Sequence, residues 1–381
     1  MKKFLVITSV ASMVDQFLMP NIQMLKDMNY DVHVACNFEK GSTCSNERIQ
    51  ELKQSLDELK IKYFQIDFAR NVLDFQGNLQ AYRQVVGLIK ENQYDSVHCH
   101  SPIGGLVTRL ACIKARKNGT KVLYTAHGFH FYKGAPLLNW LIYYPVEKLC
   151  SYFTDALITI NQEDFALAKK KMKAKKVEYV PGVGIDLSRF QNVQVDRNAK
   201  RKEIGVPEDA TLLLSVGELN ENKNHEVIIR AISQLNNPNV HYAIAGKGDK
   251  ESYLSELAGA LGVAEQVHLL GYRTDVAELY KTADIYTLPS IREGLNVSLM
   301  EAMASGLPCV VGNIRGNVDL IDNNGGVLFD PSSVENCKEA LNSLLKLDFA
   351  KLGEYNAEKI QAFSVERVNE MMRGIYEENF R

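Results

Sequence analysis

Two carboxylates in one segment have types and spacing that could hold a polyhydroxylated ligand. In LPSIREGLNVSLMEAMASGLP (288–308), Glu293 precedes a run that is nearly all apolar or small, and Glu301 lies within it. Val297, Leu299, Met300, Ala302, Met303 and Ala304 predict a helix from about Asn296 to Ala304, and a helix apolar all round is a buried one. Glu301 on such a helix needs hydrogen-bond partners, because a buried carboxylate without them is costly. No cation stands near it in sequence. Ribose or sugar hydroxyls would serve, since one carboxylate can accept two. The other reading is an exposed charge on a differently turned face. Glu293 sits where the positive end of the helix dipole favours an anion, so it is either a simple helix-start carboxylate or a reader of sugar hydroxyls.

Lys223 lies just before a helix expected from about Asn224. The dipole disfavours a cation there unless an anion is bound, and a helix N-terminus plus an ammonium makes a pyrophosphate site. A mobile surface lysine in the polar NENKN loop is the plainer alternative. His127 ends the KVLYTA strand; a neutral imidazole there can donate or accept a hydrogen bond, to a ligand or to local backbone. His98 and His100 share one face of another strand, but two ligands do not make a metal site, and strand-end polar residues are the reading we adopt. Gly246-Lys247-Gly248 follows a strand, and Gly104-Gly105 is read as a strand-to-helix loop. Each is weak alone, because glycine often serves only the turn.

The elements that must position these residues alternate along the chain. Strands are expected at 4–8, 31–35, 95–100, 121–125 and 156–160, then at 211–216, 241–246, 267–271, 284–290 and 308–312. Continuous apolar strands separated by amphipathic helices imply parallel sheets covered on both faces, so the fold class is α/β with two Rossmann-like doubly wound domains. The alternation lapses from Pro181-Gly182 to about Val195. The domains are therefore set at 1–182, joined by a C-terminal helix at about 364–381, and 183–363. Ligands bind at the carboxyl ends of such strands, and the two domains are expected to face each other across a cleft.

Composition narrows the class further. A length of 381 residues suits two α/β domains, and 46% apolar with 24% charged residues is ordinary for a globular protein. A net charge of −2 gives no global reason to expect nucleic acid. Cys36, Cys44, Cys99, Cys112, Cys150, Cys309 and Cys337 are scattered without a C-x-x-C pair, which reads as reduced thiols in a cytosolic protein. MKKFLVITSVAS fits a first strand better than a signal peptide, and no stretch is long enough to span a bilayer. One basic run, AKKKMKAKK (168–176), could favour an anionic membrane surface by about 1 kcal/mol per lysine. Trp140, Tyr143 and Tyr144, with Phe131-Tyr132, form an aromatic-rich helix suited to an interface. A solvated charged face beside a packed helix is the alternative.

The spacing of Glu293 and Glu301 inside PS-x-x-EG-x6-EA-x-A-x-GLP resembles the signature of family 4 retaining glycosyltransferases of the GT-B fold. GVGIDLSRF (182–190) is similar to that family's interdomain segment, VGELNENKNHE (216–226) to its phosphate loop and AGKGD (245–249) to its second Gly-rich loop. HCHSPIGGLVTRLA, LYTAHGFHFYKGAP and YYPVEKL resemble the bacterial capsular and exopolysaccharide branch. The resemblance implies that Glu293 touches donor-sugar hydroxyls, Glu301 grips the ribose and Lys223 binds the diphosphate. It implies that His127 contacts the sugar, and that Gly217, Gly246, Gly248, Gly294, Leu295 and Arg273 line the nucleotide site. One departure stands out: Glu218 occupies a position where the family has Arg, so the phosphate clamp is either weaker or completed by another cation, Arg273 or Arg315. The Gly-rich loop common after the first strand is also absent from TSVASMVDQFLMP.

The implied reaction moves a hexosyl or N-acetylhexosaminyl group from a nucleoside-diphosphate sugar, UDP-linked, to a lipid-linked glycan acceptor in cell-surface polysaccharide synthesis. Configuration is retained, and neither cofactor nor metal is expected. The expected location is the cytosol, at the inner membrane face, with membrane contact through Lys169–Lys176. A sugar-nucleotide epimerase and a non-catalytic nucleotide-sugar-binding subunit are the rival readings.

Overall fold

The computed structural model describes residues 1–42, 44–72 and 74–380. The chain forms two compact units, Met1–Val183 with Val368–Arg381, and Gly184–Arg367. In the first, strands β1 (Lys3–Val10), β2 (Asp31–Asn37), β3 (Lys62–Gln65), β4 (Ser96–His100), β5 (Lys121–Ala126), β6 (Ala156–Thr159) and β7 (Lys176–Tyr179) pair in the order β3-β2-β1-β4-β5-β6-β7. In the second, β8 (Thr211–Val216), β9 (Val240–Ala245), β10 (Val267–Gly271), β11 (Ile285–Leu288), β12 (Cys309–Gly312) and β13 (Gly326–Phe329) pair as β10-β9-β8-β11-β12-β13. Every pairing is parallel, as helical crossovers require.

Alternation along the central strands explains why each sheet carries helices on both faces. Phe4 and Val6 of β1 join a core with Ile22 and Leu25, Leu52 and Leu56, and Val368, Met372, Ile375 and Tyr376 of the C-terminal helix Val365–Phe380. Leu5 and Ile7 point the other way, to Val85, Leu88, Ile103 and Val107. In β8, Leu212 and Leu214 pack with Leu299, Met300 and Met303, whereas Leu213 packs with Ile228, Ile232 and Leu341. Each such side chain fully removed from water contributes about 1.5–3 kcal/mol.

Three strands went unread in the sequence: β3 (KYFQ), β7 (KVEY) and β13 (GVLF). All three are sheet edges. With a neighbour on one side only, they need no continuous apolar run, and their residues are largely half-buried. A second correction concerns Gly104-Gly105, which lie in the first turn of the helix Pro102–Ala111 and not in a loop. An added Cβ at Gly104 would crowd Ser101 Oγ and the Ser9 backbone nitrogen, and one at Gly105 the ring of Tyr124. These glycines let the helix sit close on β1 and β5.

Each strand order reverses direction once, between β1 and β4 and between β8 and β11. Such switch points open a crevice at the carboxyl ends of the strands.

Candidate active site

At the β8/β11 switch point two loops are fastened to each other. Ile291 donates its backbone N–H to the Asn222 carbonyl (2.9 Å), and Asn222 Nδ2 donates to the Arg292 carbonyl (3.0 Å). Asn224 Nδ2 reaches the carbonyls of Pro289 (3.2 Å) and Pro331 (2.8 Å). Asn224 itself is left-handed (φ 54°) and turns the chain into the helix His225–Leu235; asparagine tolerates that conformation better than most residues. Between the loops, Lys223 Nζ meets Glu293 Oε1 at 2.7 Å, with side chains only 17% and 14% exposed. Lys223 is thus neither free nor mobile. It holds a carboxylate at a helix N-terminus, where an anion is favoured.

The glycines around the pair are needed for close approach. A Cβ on Gly246 would overlap the Gly217 carbonyl, and one on Gly248 the Leu219 carbonyl. Leu219 N–H bonds the Lys247 carbonyl (3.0 Å), so the loop after β9 buttresses the loop after β8. A Cβ on Gly217 would come within 3.3 Å of Lys223 Cε. On the other side Gly316, at φ 81°, lies directly against the Gly294 carbonyl. Neighbouring Arg315 points Nε at the Glu293 carbonyl (3.4 Å), and Leu295 packs onto the core beneath.

Glu301 lies on the helix Val297–Ala304, which Asn296 caps by accepting from Leu299 N–H. Leu299, Met300, Ala302, Met303 and Ala304 are buried, while Glu301 is half-buried. Tyr280 donates its hydroxyl hydrogen to Glu301 Oε2 (2.9 Å). Burial raises the Glu301 pKa, opposed by that hydrogen bond and by the charge of Arg189. The remaining acceptor capacity of the carboxylate suits hydroxyl groups.

Arg273 stands apart. It follows edge strand β10, and its guanidinium is engaged by Asp275 (2.8 and 2.5 Å) and Glu203 (2.5 Å), in a cluster that includes Lys200. Glu218 is exposed and accepts from Asn220 Nδ2 (2.9 Å). Of the two cations offered as replacements for the missing Arg, Arg315 is the one beside Glu293.

In the first unit, His127 follows β5. Its Nε2 lies 3.2 Å from His100 Nδ1. His98 bonds Tyr376 Oη through Nδ1 (2.9 Å) and Thr125 Oγ1 through Nε2 (2.8 Å). Burial lowers His98 to about 3 and His127 to about 4, and holds His100 well below its usual value. All three are therefore neutral near pH 7, so one nitrogen of the His100–His127 contact donates and the other accepts. A small cavity is lined by His100, Thr125, His127, Phe17 and Asn21. Among the described residues, no three His, Cys, Asp or Glu side chains gather as metal ligands. At the β1/β4 switch point, Ser9 Oγ and Ser101 Oγ lie 2.5 Å apart, in place of a Gly-rich loop.

Several residues of these sites escaped the sequence reading. Asn222, Asn224 and Gly316 clamp loops distant in sequence, and Tyr280 comes from a different helix. Asn224 alone left a local signal, a residue tolerant of positive φ just ahead of a helical pattern.

The sequence and fold are similar to those of known proteins. Residues 196–361 match the family described as glycosyl transferases group 1, and residues 7–161 the one described as glycosyl transferase 4-like. A Bacillus subtilis (strain 168) protein, EpsD, is 37% identical over 98% of this chain and 96% of its own length. An Escherichia coli protein named UDP-Gal:alpha-D-GlcNAc-diphosphoundecaprenol alpha-1,3-galactosyltransferase is 28% identical over 86% of this chain and 83% of its own. The crystal structure of Anabaena Alr3699/HepE in complex with UDP shares the fold, with a TM-score of 0.78 at 19% identity over 99% of this chain and 100% of that one. The chain belongs to the family 4-like glycosyltransferases and is a glycosyltransferase of the GT-B fold.

Proposed function

We propose that this enzyme transfers a hexosyl or N-acetylhexosaminyl group, with retention, from a UDP-sugar to a sugar hydroxyl of a lipid-linked acceptor in surface-polysaccharide synthesis. The observation that carries the donor reading is the Lys223–Glu293 ion pair at the β8/β11 switch point, beside the N-terminus of the helix His225–Leu235. A diphosphate arriving there would take over Lys223 and leave Glu293 free to accept hydrogen bonds from the donor sugar. The E. coli relative's name, with its UDP-Gal donor and diphosphoundecaprenol-linked acceptor, supports the choice of donor and acceptor class.

As the bond from sugar to phosphate breaks, positive charge grows on the sugar and negative charge on the leaving diphosphate. Lys223 and the backbone N–H groups at the helix start would stabilise the second, with Arg315 as the supporting cation. Glu301 would hold the ribose through its free acceptor sites. His127 would hydrogen-bond a sugar hydroxyl as a neutral imidazole. The leaving phosphate would take the acceptor proton, so neither a protein base nor a metal is assigned.

The test is nucleotide release from a panel of UDP-sugars, with and without diphosphopolyprenyl-linked mono- and disaccharides, and with chelator added. Acceptor-dependent UDP release that survives the chelator, with an axial donor linkage kept axial in the product, is expected. Acceptor-free isomerisation of the donor, or no turnover with any pair, would overturn the reading.

A further inference from the structure

The helix Leu137–Ser151 is apolar on both faces. Trp140, Tyr143 and Tyr144 pack inward against the core, with Phe131 5.5 Å from both Trp140 and Tyr144 by ring centroids. Glu147 is locked to buried Arg109 (2.8 and 2.9 Å). The opposite face holds Leu137, Leu138, Leu141, Ile142, Pro145, Val146 and Leu149, and every exposed position of the helix is one of these. Leu137 is 80% exposed and Leu141 74%. The aromatic residues that the sequence offered for an interface are the packed side; the aliphatic residues are the open one. Such a continuous apolar face in water marks an interaction surface. Ile142 and Val146 also line an apolar cavity shared with Val72, Ile103, Leu106 and Phe129.

Cations gather at one end of this face. At its C-terminal end, Lys173 donates its backbone N–H to Ser151 Oγ (2.8 Å), and Arg116 reaches the Tyr152 carbonyl (3.2 Å). Those contacts set Lys173 and Arg116 beside the C-terminal end of the helix, and Lys169, Lys170 and Lys171, with Lys114 and Lys117, adjoin them in sequence and are exposed. At this end Glu147 is paired with Arg109, and Asp155 with Arg116 and Lys175; ahead of the helix Glu163 accepts the Lys133 N–H (2.7 Å).

We propose that the helix Leu137–Ser151 lies in the plane of an anionic lipid bilayer, inserting Leu137, Leu138, Leu141, Ile142 and Leu149, with the lysines of 169–173 on the headgroups. Apolar insertion and electrostatic attraction together are what interfacial helices use. The biological sense of this docking rests on the lipid-linked acceptor proposed above, but its test uses neither donor nor acceptor.

The full chain is mixed with vesicles of phosphatidylglycerol and phosphatidylethanolamine, or of phosphatidylcholine alone, and floated on a density gradient. Trp140 is the single tryptophan, so its quenching by brominated acyl chains reads proximity of this helix to the bilayer without any substitution. Expected are flotation with the anionic vesicles, weakened by salt, and quenching of Trp140. Leu138→Glu with Leu141→Glu should lower partitioning at least about tenfold, since charge at depth is strongly disfavoured, while the melting temperature holds. Lys170→Glu with Lys171→Glu should remove the preference for anionic lipid. Absence of both flotation and quenching, or unchanged binding by the folded leucine variant, would overturn the proposal. So would a concentration-dependent dimer that the leucine variant loses, which would assign the face to a second copy.

Discussion

Lys223 and Glu293, seventy residues apart, form an ion pair of 2.7 Å that joins the loop after β8 to the loop after β11. The proposed function assigns Lys223 to the diphosphate and Glu293 to the sugar, and in the structure each holds the other. The pair keeps two partly buried charges compensated until a ligand replaces them, since removing one partner of a buried pair leaves the other uncompensated. On the proposed function, donor binding at this site would be an exchange of partners.

The pair should be measurable as a coupling. Lys223→Met and Glu293→Gln, singly and together, should give a double-mutant coupling of about 1–2 kcal/mol in urea unfolding without ligand. With saturating UDP that coupling should shrink, because the diphosphate has taken the lysine. A coupling that UDP leaves unchanged would argue against the exchange.

Glu301 gives a prediction whose sign follows from its raised pKa. The native state holds its proton to higher pH than the unfolded chain does. The group's contribution to stability is then full below the ordinary carboxyl range and declines as pH rises through the raised value. Glu301→Gln should accordingly gain in relative stability above that interval. The same variant should bind UDP at least about tenfold more weakly, as expected for losing a hydrogen bond to a charged group. Calorimetric titration with UDP and urea midpoints from pH 4 to 8 check both halves.

The histidines of the first unit act in the opposite direction. His98 and His127 stay neutral in the native protein down to about 3 and about 4, while in the unfolded chain they take protons near 6.5. Stability is full above the unfolded value and is lost as pH falls from about 6.5 towards 4, by about 1.4 kcal/mol per pH unit for each group. His98→Gln should remove one such contribution and flatten the slope. An unaltered slope between pH 6 and 4 would count against this account.

Gly246→Ala should be costly although the residue lies on a surface loop. Its Cβ would overlap the Gly217 carbonyl, so the two loops must part, at about 1–3 kcal/mol by analogy with overpacked cores. Because Gly217 lies over Lys223, UDP affinity should fall as well. Gly259→Ala, with open space around it and an ordinary helical position, is the control expected to be neutral or slightly stabilising.

Arg315 and Arg273 can be told apart. Arg315→Ala should weaken UDP binding by about tenfold, the loss of one charge-assisted contact. Arg273→Ala should leave it within about twofold and instead lower stability, since it unbalances the cluster of Glu203, Asp275 and Lys200. The reverse ranking would place the compensating cation at the end of β10.

The sequence by itself determined what local chemistry can encode. Continuous apolar runs such as FLVIT and TLLLSV specified buried parallel strands, and the apolar setting of Glu301 specified a packed helix, while the half-buried state of its carboxylate came from the fold. The string from Pro289 to Pro308 carried the family. Other features depended on residues far apart in the chain. Strands β3, β7 and β13 exist because a neighbour's edge was available, not because KYFQ, KVEY or GVLF insists on extension. The glycines Gly246 and Gly316 matter because other backbones press on them, and Arg273 and Arg315 differ in what the fold sets beside them, carboxylates for the first and the Glu293 backbone carbonyl for the second. Most instructive is the helix Leu137–Ser151, whose aromatic and aliphatic residues are interleaved along the chain. Only packing decided that Trp140, Tyr143 and Tyr144 face inward and the leucines outward, because burial depends on what else the fold brings alongside.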